Sequence, residues 1–206
     1  AVIFVNQQLK KITCKKIKDY ISEPIVLGSG ISPKDYDDTG DYFYLSMANI
    51  KNWQFEIEDA NLVSNEYAKQ NQNKTVSQND ILMARSGEGT IGKVAYIDNE
   101  DLQGIFADFT MRIRLKNYNP LFAYYYFRTE YFQYLIEVNK KGLGNNTNIF
   151  PSQVQEFPLI NINILYQQKI VNEIKTELDK QEKIKRNIEH ERSKIDDILV
   201  KEITKG

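Results

Sequence analysis

The sequence predicts an α+β protein, in which a mixed α/β globular domain is followed by a long coiled-coil-forming α-helix. From Ile164 to Ile203 the chain contains neither Pro nor Gly and is densely charged. Apolar residues recur there at the spacings of three and four that a heptad seam requires. These seam residues are Val171, Ile174, Leu178, Ile188, Ile195 and Leu199. The preceding residues are aromatic and turn-rich without this period, which predicts a globular domain at 1–160 and a helical arm at 161–206.

Short runs of alternating or continuous apolar residues predict the strands of the globular domain. Tyr42–Leu45 is strand-like, and 53–57 alternates apolar and polar residues as a half-buried strand does. The segments 80–84 and 93–97 predict two strands separated by a glycine-rich turn. In 109–115 apolar residues alternate with one Thr and two Arg, which predicts a further half-buried strand.

Helix signals are fewer in this part of the chain. Residues 9–21 predict a lead-in strand and short helix, and 63–70 predict a short helix capped by Ser64. Pro120 opens an aromatic helix that we expect to reach Phe132, and Pro151 begins a short element. Polar or glycine-rich segments predict loops at 28–40, 71–79 and 140–148.

Composition limits the classes of function. The chain has 206 residues, of which 27% are charged and 41% apolar, as is usual for soluble globular proteins. No apolar run approaches the roughly 18 residues that a membrane span requires. The apolar residues 1–5 lack the basic flank of a signal peptide, and the missing initial Met suggests a piece excised from a longer chain. A single Cys14 forms no internal disulfide, which suits a reducing, cytoplasmic location.

The net charge of −1 does not indicate a polyanion partner. Any interaction with nucleic acid must therefore depend on a local patch of positive charge.

The turn at 87–94 is close to a phosphate-binding P-loop. A P-loop requires Ser or Thr after its Lys and a helix that receives the phosphate. Here Val94 follows Lys93, and the next residues indicate a strand. A glycine hairpin turn is the favoured interpretation.

Two other features suggest enzyme sites. Gly28-Ser29-Gly30 with Asn119-Pro120 resembles the glycine loop and base-binding motif of adenine methyltransferases, but the second Pro of that motif is missing. The acidic segment 35–41 lacks the spacing of a calcium loop, so a solvated turn is favoured over a cation site. The only histidine, His190, lies in the arm, and no catalytic triad can be assembled in the globular domain. We expect no catalysis by this chain alone.

Five segments occur in an order that is known from one protein family. They are 18–21 with the loop at 28–33, then 43–50, then 80–94, then 120–126, and last 157–159 with 167–171. In this order they resemble one half of the specificity subunit of type I restriction–modification systems, a target recognition domain followed by a spacer helix. The alternating residues 160–164 replace the proline-rich run that usually precedes the helix.

The resemblance implies a non-catalytic chain that recognises double-stranded DNA. Adenine methyltransferase subunits, with their S-adenosylmethionine, and a restriction subunit would be its partners, and the chain itself would hold no cofactor or metal. A full subunit carries two recognition domains and two spacer helices. This chain has one of each, so it is a half-subunit that forms a homodimer through the helix, a fragment of a two-domain subunit, or the recognition tail of a fused enzyme. A rival class is a protein-assembly module with a coiled-coil arm.

Base edges and phosphates are contacted mainly by Arg, Lys, Asn, Gln, Ser and Thr. Three loops supply such residues and form the predicted DNA-binding surface: Ser32 and Lys34; Arg85, Ser86, Thr90 and Lys93; and Lys140, Lys141, Asn145, Asn146, Thr147 and Asn148. For the last loop the alternative is an ordinary flexible loop, and for Arg85 it is a structural salt bridge. The aromatic run at 124–127 resembles a stacking platform, although at helical spacing we expect it to be core.

Overall fold

The structure is a computed structural model, and it describes residues 15–87 and 89–204. The predicted lead-in at 9–21 is therefore described only from Lys15 onward, and Cys14 lies outside the described residues. The chain divides into two compact units, Ala1–Ile164 and Leu165–Gly206.

The first unit contains short strands that form small sheets. The strands are β1 Lys15–Lys16, β2 Val26–Leu27, β3 Tyr42–Leu45, β4 Ile50–Lys51, β5 Gln54–Phe55, β6 Leu62–Val63, β7 Ile81–Ala84, β8 Val94–Tyr96, β9 Gly104–Phe106, β10 Thr110–Ile113 and β11 Pro158–Leu159. One sheet has the order β2-β10-β7-β8 and another the order β6-β3-β9, while β1 pairs with β11 and β4 with β5. The pairs are antiparallel except β3 with β9.

Helices complete both units. They are α1 Asn65–Gln70, α2 Pro120–Phe127, α3 Glu130–Asn139, α4 Pro151–Val154 and the 40-residue α5 Ile164–Ile203. This mixture of sheets and helices, with a long C-terminal helix, confirms the predicted α+β class. In the part of the chain described here, no helix combines the length and apolar character needed to cross a bilayer.

Local signals predicted several elements correctly. The strand Tyr42–Leu45 is β3, and the predicted hairpin is β7 paired with β8, with Ile81 opposite Tyr96. Ser64 caps α1, because its hydroxyl accepts a hydrogen bond from the backbone amide of Tyr67. The predicted strand 53–57 is shorter and consists of β5 alone.

The prediction of a half-buried strand at 109–115 was wrong, because β10 is buried on both faces. Arg112 is only 7% exposed; its guanidinium donates to the Glu23 carboxylate and lies over the Phe106 ring. Next along the chain, Arg114 forms an ion pair with Asp80, whose side chain is also buried. Paired arginines thus cover the face that the sequence pattern assigned to solvent.

The single aromatic helix predicted from Pro120 to Phe132 was also wrong. α2 ends before Arg128, and Thr129 adopts an extended conformation with ψ 148°. Its hydroxyl accepts from the backbone amide of Phe132 and so caps α3. A capping residue inside the apolar run therefore divides it into two helices.

The core joins the two larger sheets. Leu45 of β3 and Phe106 of β9 pack with Leu82 of β7, and Val76 and Ile97 close the cluster. Each such side chain contributes about 1.5–3 kcal/mol when fully buried. This packing fixes the end of β7, where two of the predicted DNA-binding loops lie.

Candidate nucleic-acid interface

Two of the three predicted DNA-binding loops meet where the chain leaves β7. The backbone amide of Ile149 donates to the carbonyl of Arg85 at 2.8 Å, and Ser86 forms an antiparallel bridge with Asn148. The backbone amide of Arg85 donates in turn to the carbonyl of Phe109 at 2.9 Å. Backbone hydrogen bonds therefore hold these three segments side by side.

We call the group of Arg85, Phe109, Lys141, Asn146 and Asn148 the Arg85 surface. Lys141 and Asn148 exchange two backbone hydrogen bonds of 2.8 Å, and the side-chain amide of Asn148 donates to the carbonyl of Asn146 at 3.0 Å. The surface thus combines a guanidinium, an ammonium, two amides and an aromatic ring. These groups match the chemistry of phosphates and base edges.

Neutral groups hold the guanidinium of Arg85. Its Nε donates to the carbonyl of Asp108 at 2.9 Å, and its Nη1 lies 3.4 Å from Oδ1 of Asn148. Its Cζ lies 5.5 Å from the centroid of the Phe109 ring. Within residues 15–87 and 89–204 no carboxylate lies at ion-pair distance from Arg85. Among the described residues, the charge of Arg85 is therefore oriented by neutral groups and not paired with a carboxylate.

The glycine-rich turn after β7 has the geometry of a hairpin turn. Gly87, Gly89 and Gly92 have φ values of 89°, 76° and 81°, which glycine adopts without strain. The hydroxyl of Thr90 donates to the carbonyl of Ser86 at 2.9 Å. The turn is followed by the strand β8 and not by a helix that could receive a phosphate at its N-terminus. This confirms the hairpin interpretation over the P-loop.

The two hydroxyl residues of this turn have internal positions. Ser86 is buried, and Thr90 and Lys93 are both half-buried. Ser86 and Thr90 therefore shape the turn in this structure, and Lys93 remains the cationic candidate of the turn.

The loop at 140–148 folds back on itself through its glycines. Gly142 has φ 105°, and a Cβ there would lie 2.3 Å from the carbonyl oxygen of Asn146. A short 3-10 helix, Gly144–Asn146, forms the tip and includes the backbone of Asn145. Lys141 and Asn146 are exposed, while Thr147 is buried. Thr147 thus supports the loop from beneath.

The two lysines of this loop differ in their surroundings. Nζ of Lys140 lies 2.8 Å from the Glu137 carboxylate, so its charge is partly compensated. Lys141 is exposed and has no ion pair among the residues that the structure describes. Lys141 is therefore the stronger candidate for a phosphate contact.

The third predicted loop has a different electrostatic character. Ser32 and Lys34 are exposed beside the short 3-10 helix Pro33–Asp35, whose last carbonyl accepts from the backbone amide of Ser64. Asp37 follows, and hydrogen bonds from the hydroxyl and amide of Thr39 lower the pKa of its carboxyl group. This geometry is that of a solvated turn, and no cluster of potential metal ligands occurs in the described part of the chain. The acidic neighbours weaken the attraction of this loop for a polyanion.

Sequence reasoning missed Phe109 and Leu143. Phe109 is 45% exposed and Leu143 is 89% exposed, although both are large apolar residues. The alternating pattern placed Phe109 inside a strand, whereas β10 begins one residue later and Phe109 lies in the preceding turn. A turn residue escapes the inward and outward alternation that the pattern assumes.

The aromatic run in α2 belongs mainly to the core, as expected. Tyr124 and Tyr126 are 6% and 4% exposed, and burial raises the pKa of both hydroxyl groups. Asn119 caps α2 and Pro120 occupies its first turn, as predicted for a Pro that opens a helix.

The predicted seam of α5 is mostly open. Val171 is buried and Ile174 half-buried, but Leu178, Ile188, Ile195 and Leu199 are 39–60% exposed. Two apolar residues outside the predicted seam, Ile184 and Ile198, are 58% and 63% exposed beside it. The apolar face is therefore wider than the heptad pattern indicates, and its polar interruptions are Gln181, Lys185 and Arg192.

A comparison with protein-family models identifies one family that matches most of the chain. A family model described as the type I restriction modification DNA specificity domain matches residues 21–191. A comparison with curated proteins gives no match.

Solved structures with the same fold come from type I restriction–modification systems. A chain from a study of complex assembly and conformational transition of such a system has a TM-score of 0.63 and 13% identity; the match covers 84% of this chain and 39% of that one. The HsdS subunit from Thermoanaerobacter tengcongensis has a TM-score of 0.60 and 12% identity, with 89% and 44% covered. The S subunit from M. genitalium has a TM-score of 0.52 and 18% identity, with 79% and 37% covered. The present chain thus spans about two fifths of the length of each solved chain.

Proposed function

The chain belongs to the family of type I restriction modification DNA specificity domains, and we propose that its first unit binds a short sequence in duplex DNA. In this role it directs the enzymes of a restriction–modification complex to their target and performs no chemistry itself. Its place of action is then the cytoplasm.

The observation that carries the proposal is the arrangement of the Arg85 surface. An arginine fork reads guanine, and the side-chain amides of Asn read adenine, when each is presented in the right orientation. Here Arg85 is oriented by Asp108 and Asn148 without losing its charge, and the exposed Lys141 lies on the next strand segment. We assign base contacts to Arg85, Asn146 and Asn148, and phosphate contacts to Lys141 and Lys93.

The long helix supports a spacer role. A helix of 40 residues extends about 60 Å at roughly 1.5 Å per residue, which is comparable to two turns of duplex DNA. Its open apolar face fits a second helix of the same kind. Two such arms, in one homodimer or in a two-domain subunit, hold two recognition units at a set separation along one duplex. Identical units related by a two-fold axis would read inverted repeats.

The partners follow from this role. Methylation of adenine requires a methyltransferase subunit that binds S-adenosylmethionine, and cleavage requires a restriction subunit. The chain itself is proposed to bind neither cofactor nor metal.

A methylation map tests this function. The chain is co-expressed with the adenine methyltransferase subunit of its system, and methylated adenines are located across the host genome by long-read sequencing. We expect a split motif that appears only in the presence of the chain. An inverted repeat indicates a homodimer, and an asymmetric motif indicates a second, different recognition domain. If the two proteins associate and no motif appears, the chain is a protein-assembly module and the proposal is wrong.

A further inference from the structure

Phe109 is an exposed aromatic residue on a firmly held turn. The turn joins β9 to β10 and is closed by a hydrogen bond of 2.9 Å from the amide of Thr110 to the carbonyl of Ala107. Both flanking peptide groups are fixed to Arg85, since its backbone amide donates to the Phe109 carbonyl and its Nε donates to the Asp108 carbonyl, each at 2.9 Å. Thr110, the next residue, is completely buried. The 45% exposure of Phe109 is therefore a property of a well-ordered turn.

A polar group suited to base edges lies against this ring, and a second contacts that group. The Arg85 guanidinium lies over it at 5.5 Å, a cation–π arrangement, and the same guanidinium contacts Asn148. An exposed apolar ring beside two hydrogen-bonding side chains fits a ligand surface that is polar except for one apolar group. In the major groove of DNA, the 5-methyl group of thymine is that apolar group.

We propose that Phe109 contacts the 5-methyl group of a thymine in the major groove, beside the base edges bound by Arg85 and Asn148. This inference rests on the proposed function and specifies one base of the target. The other way in which an aromatic residue acts on a duplex is as a wedge between base steps. A wedge presents both ring faces to bases, whereas one face of Phe109 is covered by a guanidinium.

The test replaces each thymine of the mapped target by deoxyuridine, one at a time, and measures binding by the whole chain with its methyltransferase partner. At one position per half-site we expect the missing methyl group to weaken binding about fourfold, the equivalent of one buried methylene-sized group. In the Phe109→Ala variant the same replacement should have no effect. In the Phe109→Leu variant, deoxyuridine should still weaken binding, but by less than in the wild type.

Leu143→Ala is the matched control, because Leu143 is an even more exposed apolar residue on the neighbouring loop. This variant should keep the full response to deoxyuridine. The proposal is overturned if deoxyuridine at every thymine leaves wild-type binding unchanged, or if Phe109→Ala responds as the wild type does. If Phe109→Ala fails to fold, Phe109→Leu replaces it, and a full wild-type response in Phe109→Leu overturns the proposal. Binding to no duplex at all would overturn the proposed function as well, whereas specific binding without a methyl effect would overturn this inference alone.

Discussion

Arg85 shows how a single side chain is held in place at the surface that we propose to bind DNA. Its contacts are a carbonyl, an amide oxygen and an aromatic ring, so the fork is ordered before a ligand arrives. Ordering in advance lowers the entropy cost of binding. The sequence indicated Arg85 and Asn148 as candidates because of their residue types and loop positions. It did not indicate that they touch, because 63 residues separate them and their contact depends on tertiary structure.

Lys141→Ala should weaken binding to all duplex sequences, because an exposed ammonium contacts phosphates irrespective of the bases. The slope of log affinity against log salt should fall by about one. Asn146→Ala should instead reduce the preference for the target over other sequences. Fluorescence anisotropy at several salt concentrations, with target and scrambled duplexes, measures both quantities.

The control for Lys141 is its neighbour. Lys140→Ala should change the salt slope less, since Nζ of Lys140 is already paired with Glu137. Equal effects of the two alanine variants would show that the ion pair does not distinguish these lysines, and unchanged binding in Lys141→Ala and Asn146→Ala would remove this loop from the interface.

At the scale of elements, the chain directly after β2 approaches the turn after β9 so closely that position 28 requires glycine. A Cβ on Gly28 would lie 2.0 Å from the carbonyl oxygen of Phe106, whereas a Cβ on Gly30 would lie 3.5 Å from Oδ2 of Asp108, an ordinary contact. Gly28→Ala should therefore lower the free energy of unfolding by about 3 kcal/mol, and Gly30→Ala by much less. Urea denaturation of the two variants provides the comparison. Similar losses would contradict the packing described for this turn.

A second prediction at this scale concerns the ion pairs that Glu156 forms with two lysines at and after β1. The Glu156 carboxylate lies 2.7 Å from the ammonium groups of both Lys16 and Lys18, and these hydrogen bonds lower the pKa of Glu156. A lowered carboxyl pKa stabilises the folded state above the ordinary pKa, and this contribution disappears as the pH falls through the lowered value. Glu156→Gln should thus be slightly less stable than the wild type at pH 7 and equal to it in acid.

Denaturation midpoints at pH 7 and in acid, with and without added salt, measure the effect of Glu156→Gln. The control is Glu100→Gln, since Glu100 is exposed and forms no ion pair in the described part of the chain. A difference between wild type and Glu156→Gln that persists in acid would mean that the carboxylate charge is not responsible.

Elements with local signals could be predicted, and elements that depend on distant partners could not. The β7–β8 hairpin and the Ser64 cap are encoded within a few residues, and both were found from the sequence. The parallel pairing of β3 with β9 joins Phe43 to Gly104, and β9 shows no alternation because its residues are buried on both faces. Likewise, the two-residue strands β1 and β11 are too short for a periodic pattern. Such strands form because a pairing strand lies beside them, and the local sequence pattern does not indicate which distant segment supplies that strand.

At the scale of the whole molecule, we expect α5 to mediate the proposed assembly. Ile188 is 49% exposed at the centre of the apolar face, so a charge there would be buried in a helix pair. Ile188→Glu should convert a dimer into a monomer in sedimentation experiments and abolish the split methylation motif. His190→Glu introduces the same side chain two residues away, on the opposite side of the helix, and should leave the dimer intact. A dimer that persists in Ile188→Glu would place the interface elsewhere.

The pairing of β1 with β11 has a consequence for evolution. It sets Lys15 opposite Leu159 and Lys16 opposite Pro158, so the first and last strands of the described part of the globular unit are neighbours, with paired residues about 5 Å apart. The segment between two such neighbouring strands can be replaced as one piece. Under the proposed function, recombination between two genes at these positions would exchange one recognised DNA sequence for another while the proposed spacer helix is retained.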